Sequence, residues 1–328
     1  MKRLEHYWQT RNGVAWALLP LSWLYCLVVA LRRAAYRSGM LVSRGLPVPV
    51  IVVGNISVGG TGKTPLVIWL VRHLKTLGYA PGIVTRGYGG AGSRWPRAVR
   101  GESDPAEVGD EAVLLARHGD CPVVAGPERV ESGRMLVEEY RCDLIVSDDG
   151  LQHYALNRDL EIAVIDGERR FGNGFCLPAG PLRELPARLR SVDLVVTNGS
   201  AAADELWMRL RAERAVNLRD PLSVKSLEAF RGERIIAVAG IGNPGRFFGM
   251  LRGFGLHIEE RPFPDHHGFG PLDLAGFGET PVLMTEKDAV KCERFAGGNC
   301  WYVPVETRTH PAFIHRLNRL LTGLRENG

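Results

Sequence analysis

The sequence contains no closely spaced cysteine pairs. Its six cysteines lie far apart, and none belongs to a CxxC motif. This spacing argues against a zinc site or a disulfide framework and predicts reduced thiols in a cytoplasmic protein. Repeats of fixed period and low-complexity segments are also absent.

The chain also lacks a long basic run and any interleaving of basic with aromatic residues, although its formal net charge is +5. Acidic residues are spread among the arginines and lysines. The small positive excess therefore fits an anionic ligand or a lipid surface better than a nucleic-acid partner. A length of 328 residues with 45% apolar and 23% charged residues predicts a globular protein. At ~150 residues per domain, this length corresponds to about two domains.

An apolar segment lies near the N-terminus. Residues 12–31 carry no charge and are flanked by Arg11 and Arg32. A helix of this length spans ~30 Å, enough for a bilayer core. No small-residue cleavage site closes the segment, which argues against a signal peptide. Pro20, several tryptophans and the flanking basic residues favour a helix lying in the membrane interface, while a single transmembrane span and a buried core helix remain alternatives.

Short β-branched runs alternate with helical stretches, a pattern that predicts a parallel α/β sheet with flanking helices. These runs lie at 49–55, 81–87, 122–126, 143–149, 160–166, 193–199, 234–240, 281–288 and 300–305. Residues 218–233 interrupt them and carry few core signals. We therefore predict a membrane-associated helix within 1–37, a larger domain over 38–217, a linker over 218–233 and a smaller α/β domain over 234–328.

A glycine-rich loop follows the first predicted strand and precedes an apolar helix. It consists of Ser57, Val58, Gly59, Gly60, Thr61, Gly62, Lys63 and Thr64. In such a loop, backbone N–H groups converge on phosphate, the lysine reaches the β- and γ-phosphates, and the threonine hydroxyl ligates Mg²⁺. Ser57 replaces the first glycine of the usual GxxxxGK[ST] pattern. The order of strand, loop and helix nevertheless predicts an ATP site in a sheet of the P-loop NTPase type.

Two adjacent carboxylates, Asp148 and Asp149, follow another apolar run. A P-loop enzyme needs an acidic side chain at a neighbouring strand end to hold its metal, so this pair predicts Mg²⁺ coordination. A turn that begins with Asp-Gly is the alternative interpretation. Which of the two aspartates ligates Mg²⁺ stays open.

Two further motifs are less specific. Residues 240–245 follow a strand and spell GxGxxG, as in dinucleotide-binding proteins. Pro244 removes one N–H from that loop, so we predict a tight strand-to-helix turn instead. Residues 285–288, TEKD, are similar to the base-reading loop of GTPases and equally fit a helix start capped by Thr285.

Together these motifs resemble the tetraacyldisaccharide 4'-kinase family along nearly the whole chain. The family's own P-loop also lacks the first glycine. The matching segments occur in the family's order: VGNISVGGTGKTP (53–65), TRGYGG (85–90), VGDEA (108–112), GPERV (126–130), DDGLQH (148–153), LPAGPLRE (177–184), AGIGNPGRFF (239–248), FPDHHGF (263–269) and TEKDAVK (285–291).

The resemblance implies an ATP-dependent kinase with Mg²⁺ as cofactor. Its substrate would be the 4'-hydroxyl of a tetraacylated disaccharide 1-phosphate in lipid A synthesis. Its partners would be this lipid and a membrane surface, with no nucleic acid and no obligate protein partner. The expected location is the cytoplasmic face of the bacterial inner membrane, where the N-terminal helix attaches the enzyme.

The resemblance also implies roles for individual residues. Asp110 matches the family's catalytic base, and His266 matches the residue that supports it. Phosphoryl transfer needs such a carboxylate to accept the proton of the sugar hydroxyl. Without the resemblance, Asp110 would be read as an acid at a helix N-terminus and His266 as part of a solvated loop.

Further site residues are implied in the same way. Arg129 and Arg183 match arginines that line the site and suit phosphate groups through their planar donors. Glu184 is expected beside the metal, and His153 is expected to complete the site.

Two other functions compete with the kinase. Membrane-associated P-loop ATPases of the partitioning type also join a GGxGKT loop to an amphipathic segment, but they carry lysine where Val58 stands here. The second competitor is a membrane-tethered nucleotide sensor in which Asp110 has no catalytic role.

Overall fold

The computed structural model describes residues 4–326 and contains two β-sheets flanked by helices. In chain order, strands β1 to β15 are Val50–Gly54, Pro81–Thr85, Arg97–Val99, Val123–Ala125, Leu144–Asp148, Leu160–Asp166, Leu194–Asn198, Leu206–Arg211, Arg214–Asn217, Val224–Ser226, Arg234–Ala239, His257–Pro262, Val282–Thr285, Cys300–Val303 and Glu306–Thr309. Helices α1 to α10 are Gly13–Ala17, Leu19–Arg37, Lys63–Thr76, Pro105–Val108, Asp110–His118, Arg129–Glu138, Pro244–Gly253, Pro271–Leu274, Glu286–Cys292 and Pro311–Glu326. Short 3₁₀ helices lie at Leu4–Tyr7, Pro186–Ser191 and Leu227–Phe230.

The first sheet has the strand order β15-β8-β7-β6-β1-β5-β2-β4-β3. All neighbours from β8 to β4 are parallel, and the two edge strands β15 and β3 are antiparallel to theirs. The central strands are buried on both faces, which explains their continuous β-branched sequences. The carboxyl ends of β1, β5, β6 and β7 consequently lie side by side at one edge of this sheet.

The second sheet has the order β10-β9-β14-β13-β11-β12. Its strands β14, β13, β11 and β12 are parallel, and β9 and β10 form an antiparallel hairpin at one side. Separate apolar clusters pack against its two faces. The protein is thus an α/β protein with two mixed, mostly parallel sheets.

Each of the predicted β-branched runs contains a strand. The sequence interpretation missed β3, β8, β9, β10, β12 and β15. Several of these lie at sheet edges, where exposed side chains need not be apolar; β10 and most of β12 are exposed. The predicted domain limits stay a prediction, but strand membership does not follow them: β9 and β10 pair in the second sheet, while β15 and α10 return to the first.

The N-terminal apolar segment forms two helices, α1 and α2, separated by a turn at Leu18. Among residues 4–326, no helix combines the length and hydropathy needed to cross a membrane. The turn at Leu18 shortens the apolar run, and α2 ends at Arg37. One surface of α2 is apolar and more than half exposed, formed by Leu21, Trp23, Leu24, Leu27, Val28 and Leu31.

Candidate active site

The glycine-rich loop joins β1 to α3, as the sequence predicts. Gly59 and Gly62 have φ angles of 95° and 92°, in the left-handed region that favours glycine. A Cβ atom on Gly62 would lie 2.3 Å from the side-chain nitrogen of Asn198. The loop can therefore keep this shape only with glycine at position 62.

Lys63 and the second aspartate of the acidic pair lie together beside this loop. The Nζ atom of Lys63 is 3.3 Å from Oδ1 of Asp149. Arg183 donates from Nη1 to both carboxylate oxygens of Asp149, at 3.2 and 3.1 Å. Burial alone would raise the pKa of Asp149, but the charges of Lys63 and Arg183 hold it well below its usual range. Asp149 is therefore ionised at neutral pH.

Asp148 differs from its neighbour because, among the described residues, its carboxylate forms no ion pair, although Arg129 contacts its backbone oxygen. It is 1% exposed, and its Oδ1 atom has no hydrogen-bond partner among the described residues. Burial, with the nearby charges of Glu111 and Asp149, raises its pKa to about 7. An unpaired buried carboxylate is costly unless a cation compensates it. Its environment therefore fits a Mg²⁺ ligand, whereas Asp149 already has two cationic partners.

The other two predicted metal ligands have different surroundings. Thr64 occupies the second position of α3, directly after Lys63. Glu184 accepts hydrogen bonds from Gln152 at 2.9 Å and from the hydroxyl of Tyr154 at 2.7 Å. Within residues 4–326, no three His, Cys, Asp or Glu side chains form a group able to hold a metal. Mg²⁺ usually keeps several waters and binds through one or two protein groups plus phosphates, so a smaller set suffices.

Asp110 and His266 form a pair across the two sheets. Asp110 is the first residue of α5, packed on the first sheet, and His266 follows β12 of the second. Their Oδ1 and Nδ1 atoms are 3.3 Å apart. Burial would raise the pKa of Asp110, but the hydrogen bond from His266 and the charge of Lys287 lower it to about 2. The same hydrogen bond raises the pKa of His266, against the effect of burial.

Lys287 contacts this pair and also lines the cavity that the P-loop lines. Its Nζ atom is 2.9 Å from Glu111, 3.3 Å from Asp265 and 3.4 Å from Nε2 of His266. Burial opposes its charge, but the surrounding carboxylates raise its pKa. The sequence interpretation missed Lys287; the only signal was its place in the TEKD motif, where Thr285 does cap α9.

Arg129 contacts the acidic strand end, and His153 lies close enough to Arg129 for that charge to affect its pKa. Arg129 is buried and donates to the backbone oxygens of Gly126 and Asp148, at 3.1 and 3.3 Å. Burial lowers its pKa to about 10. Burial, followed by the charges of Arg129 and other arginines, lowers the pKa of His153 to about 4, so that histidine is neutral. Arg129 thus lies behind Asp148, in contact with its backbone.

Some of these groups border a cavity of about 530 Å³ between the two sheets, whereas Asp110, His266, Asp148, Asp149 and Arg183 are not part of its lining. Its walls contain residues of the P-loop, of α5, of the turn after β11 and of the start of α9; among them are Gly60, Lys63, Thr64, Glu111, Gly242, Arg246, Thr285 and Lys287. The GxGxxG segment is the predicted strand-to-helix turn, between β11 and α7. It also packs on the P-loop, since a Cβ atom on Gly242 would lie 2.4 Å from the nitrogen of Gly60.

Comparisons with known proteins agree with this geometry. The family described as tetraacyldisaccharide-1-P 4'-kinase matches residues 14–322. The tetraacyldisaccharide 4'-kinase of Nitrosococcus oceani is 52% identical over 315 residues, covering 96% of this chain and 93% of its own. That of Alkalilimnicola ehrlichii is 50% identical, covering 99% of this chain and 98% of its own.

Among solved structures, a crystal structure described as the "apo" form of LpxK from Aquifex aeolicus in complex with ATP superposes with a TM-score of 0.77. It is 28% identical in sequence and covers 94% of this chain and 99% of its own. The similarity thus extends over both sheets and over every motif of the site. The chain belongs to the tetraacyldisaccharide 4'-kinase family.

Proposed function

We propose that this protein transfers the γ-phosphate of MgATP to the 4'-hydroxyl of a tetraacyldisaccharide 1-phosphate in lipid A biosynthesis. The observation that carries this proposal is the Asp110–His266 pair, with Oδ1 and Nδ1 3.3 Å apart, whose neighbours Glu111 and Lys287 line the same cavity as the P-loop. A nucleotide site alone would fit many ATPases. A P-loop combined with a buried, ionised carboxylate that is paired with a histidine fits transfer to an alcohol.

In this mechanism Asp110 accepts the proton of the sugar hydroxyl as that oxygen attacks the γ-phosphorus. His266 orients the carboxylate and shares its charge, and Lys287 stabilises the same carboxylate electrostatically. A pKa of about 2 keeps Asp110 ionised at neutral pH. Because a strongly acidic carboxyl is a weak base, it accepts the proton only as the attacking oxygen becomes acidic in the transition state.

The phosphate groups would contact the N–H groups of residues 59–64 in the P-loop of an NTPase-type sheet, since the N–H of Val58 donates to the oxygen of Pro181 at 2.8 Å. Lys63 reaches the β- and γ-phosphates, and Arg183, held by Asp149, presents a second cation to them. Thr64 and Asp148 would hold Mg²⁺, with Glu184 behind them. Mg²⁺ would neutralise charge on the phosphate oxygens. Arg129 would keep Asp148 in place through its backbone.

The exposed apolar surface of α2 would place this site at a membrane. Each methylene buried in lipid contributes ~0.8 kcal/mol, so an acylated substrate leaves the bilayer only at high cost. An enzyme that attaches to the cytoplasmic face of the inner membrane can take the substrate's sugar headgroup without extracting its acyl chains. Helix α2 would lie in the interface, with its apolar surface toward the lipid.

The test is transfer of labelled γ-phosphate from MgATP to tetraacyldisaccharide 1-phosphate in detergent micelles. We expect transfer by the wild-type protein and none by Lys63→Ala. Lys75→Ala is the matched control, since Lys75 lies on the same helix but pairs with Asp120 at the surface. ATP binding without transfer in the wild-type protein would contradict the kinase and favour a nucleotide switch of the partitioning type.

A further inference from the structure

Side chains donate hydrogen bonds to the backbone carbonyl groups of the P-loop, on the side that faces away from the expected phosphate site. When the N–H groups of such a loop converge on phosphate, its carbonyl groups point away and need donors of their own. Asn55 donates to the oxygen of Gly59 at 3.5 Å, Arg169 to that of Gly60 at 2.5 Å, and Asn198 to that of Thr61 at 2.9 Å. Three consecutive carbonyl groups therefore each accept a hydrogen bond from a side chain.

These three donors come from neighbouring strands. Asn55 follows β1, Asn198 is the last residue of β7, and Arg169 lies three residues after the end of β6. The strands are adjacent in the order β7-β6-β1, so the three donors lie next to one another at the carboxyl ends of these strands. Asn198 is 2% exposed and Asn55 is fully buried. Buried amides keep one orientation, which gives the loop a defined shape before any ligand binds.

Arg169 differs from the two asparagines because it also contacts the turn between β11, a strand of the second sheet, and α7. Its Nη1 atom donates to the oxygen of Gly242 at 2.9 Å, while Nη2 holds Gly60. Its Nε atom donates to Asp166, at 3.0 Å. Asp166 is 1% exposed and also accepts from Arg246 of α7 at 2.8 Å. One guanidinium thus joins the P-loop, the end of β6 and the turn that precedes α7.

We infer that Arg169 and Asn198 are positioning residues for the nucleotide: they hold the carbonyl groups of Gly60 and Thr61 outward so that the P-loop amides face the phosphates. Arg169 also couples this arrangement to the second sheet through Gly242. The residues act on bound phosphate through the backbone. The inference deepens the proposed function but concerns nucleotide binding, which is measurable without lipid.

The experiment measures the Kd of MgATP and of ADP by calorimetry, with the melting temperature as a check on folding. For Arg169→Ala we expect about tenfold weaker binding of both nucleotides, since a charge-assisted hydrogen bond to the loop is lost and a tenfold change corresponds to ~1.4 kcal/mol. Asn198→Ala should weaken both in the same way. Arg169→Lys keeps one donor and should recover part of the affinity.

Arg170→Ala is the matched control. Arg170 is the next residue along the chain and pairs with Glu205, at 2.9 and 2.5 Å, without contacting the P-loop. Its variant loses an ion pair of similar kind, so we expect wild-type affinity for both nucleotides.

Two results would overturn the inference. Loss of ATP affinity with unchanged ADP affinity would mean that Arg169 contacts the γ-phosphate directly. Wild-type affinity for both nucleotides in folded Arg169→Ala and Asn198→Ala would mean that the loop keeps its shape without them. If Arg169→Ala does not fold, Arg169→Lys decides between the same outcomes. If the wild-type protein does not phosphorylate the lipid while all these nucleotide affinities are as expected, that result would contradict the proposed function and leave this inference intact.

Discussion

Oδ1 of Asp110 and Nδ1 of His266 lie 3.3 Å apart, although Asp110 begins a helix packed on the first sheet and His266 follows a strand of the second. Their contact depends on how the parts of the molecule that carry the two sheets dock on each other. The backbone of His266 has a φ of 57°, in the left-handed region, which is uncommon for a residue with a side chain. The ring also meets that of Tyr88 edge-on, with centroids 4.8 Å apart. The His266 ring is thus held by the carboxylate of Asp110 and by the ring of Tyr88.

Replacing the proposed base tests its role directly. For Asp110→Asn we expect kcat to fall by about 10²- to 10⁴-fold, since the amide cannot accept the hydroxyl proton. The Kd of MgATP should change little, because no P-loop contact is altered. Steady-state kinetics and calorimetry measure the two quantities.

Asp104→Asn is the matched control for that substitution. Asp104 caps α4 through a hydrogen bond from the amide of Ala106, a role that asparagine also fills. Its variant should keep wild-type kcat. An Asp110→Asn protein with full turnover would exclude Asp110 as the base.

The same pair makes stability depend on pH. The folded pKa of His266 lies above its ordinary 6.5, so its contribution is present below pH 6.5 and is lost as the pH rises through the folded pKa. The folded pKa of Asp110 is about 2, below its ordinary 3.8, so its contribution is present above pH 3.8 and is lost as the pH falls toward 2. The pair therefore stabilises most between these limits.

We expect His266→Ala to lower the free energy of unfolding by about 1 to 3 kcal/mol near pH 5 and by less at pH 9. Urea unfolding at the two pH values measures the difference. His315, an exposed residue of α10, provides the control variant His315→Ala, for which we expect little change at either value. A loss in His266→Ala that is equal at both pH values would contradict the ion pair.

A methyl group added at Gly242 should push the turn between β11 and α7 away from the P-loop. In Gly242→Ala the new Cβ atom would lie 2.4 Å from the backbone nitrogen of Gly60, so the turn or the loop must shift. We expect at least tenfold weaker MgATP binding, which is ~1.4 kcal/mol. In Gly245→Ala the nearest atom would be 3.7 Å away, in ordinary contact. Equal nucleotide affinities in the two variants would show that the close approach has no effect on the loop.

The apolar surface of α2 should control attachment to lipid. Leu24 and Leu27 are 57% and 55% exposed, so replacing both with glutamine should change the folding stability little. If they insert into lipid, each contributes ~1.5 kcal/mol or more, and vesicle binding should weaken about tenfold per residue. Leu222→Gln is the control, because Leu222 is 93% exposed but precedes β10. Co-sedimentation with anionic vesicles that is unaffected by the double substitution would exclude α2 as the contact.

The parts of the site predicted from the sequence are those that local patterns encode. The P-loop and the acidic pair follow apolar strands directly, so strand, loop and side chains can be recognised together. Asp110 and His266 carry no such local signal and were predicted only through the family resemblance. Lys287 shows the limit most clearly, since its partner Glu111 is 176 residues away in the chain. Arg169 and Asn198 were missed because they bind backbone oxygens, which leave no pattern in the sequence.

The antiparallel pairing of β8 with β15 has a consequence for how this protein can be dissected. Arg211, the last residue of β8, lies opposite Glu306, the first residue of β15, so the ends of the segment 212–305 meet in one ladder. Truncation after β8 would remove Phe313, Leu317 and Leu321 from the first core. Replacing residues 212–305 with a two-residue turn would instead close a hairpin across the gap. We expect this internal deletion, and not a C-terminal truncation, to yield the nucleotide-binding half as a separate folded protein.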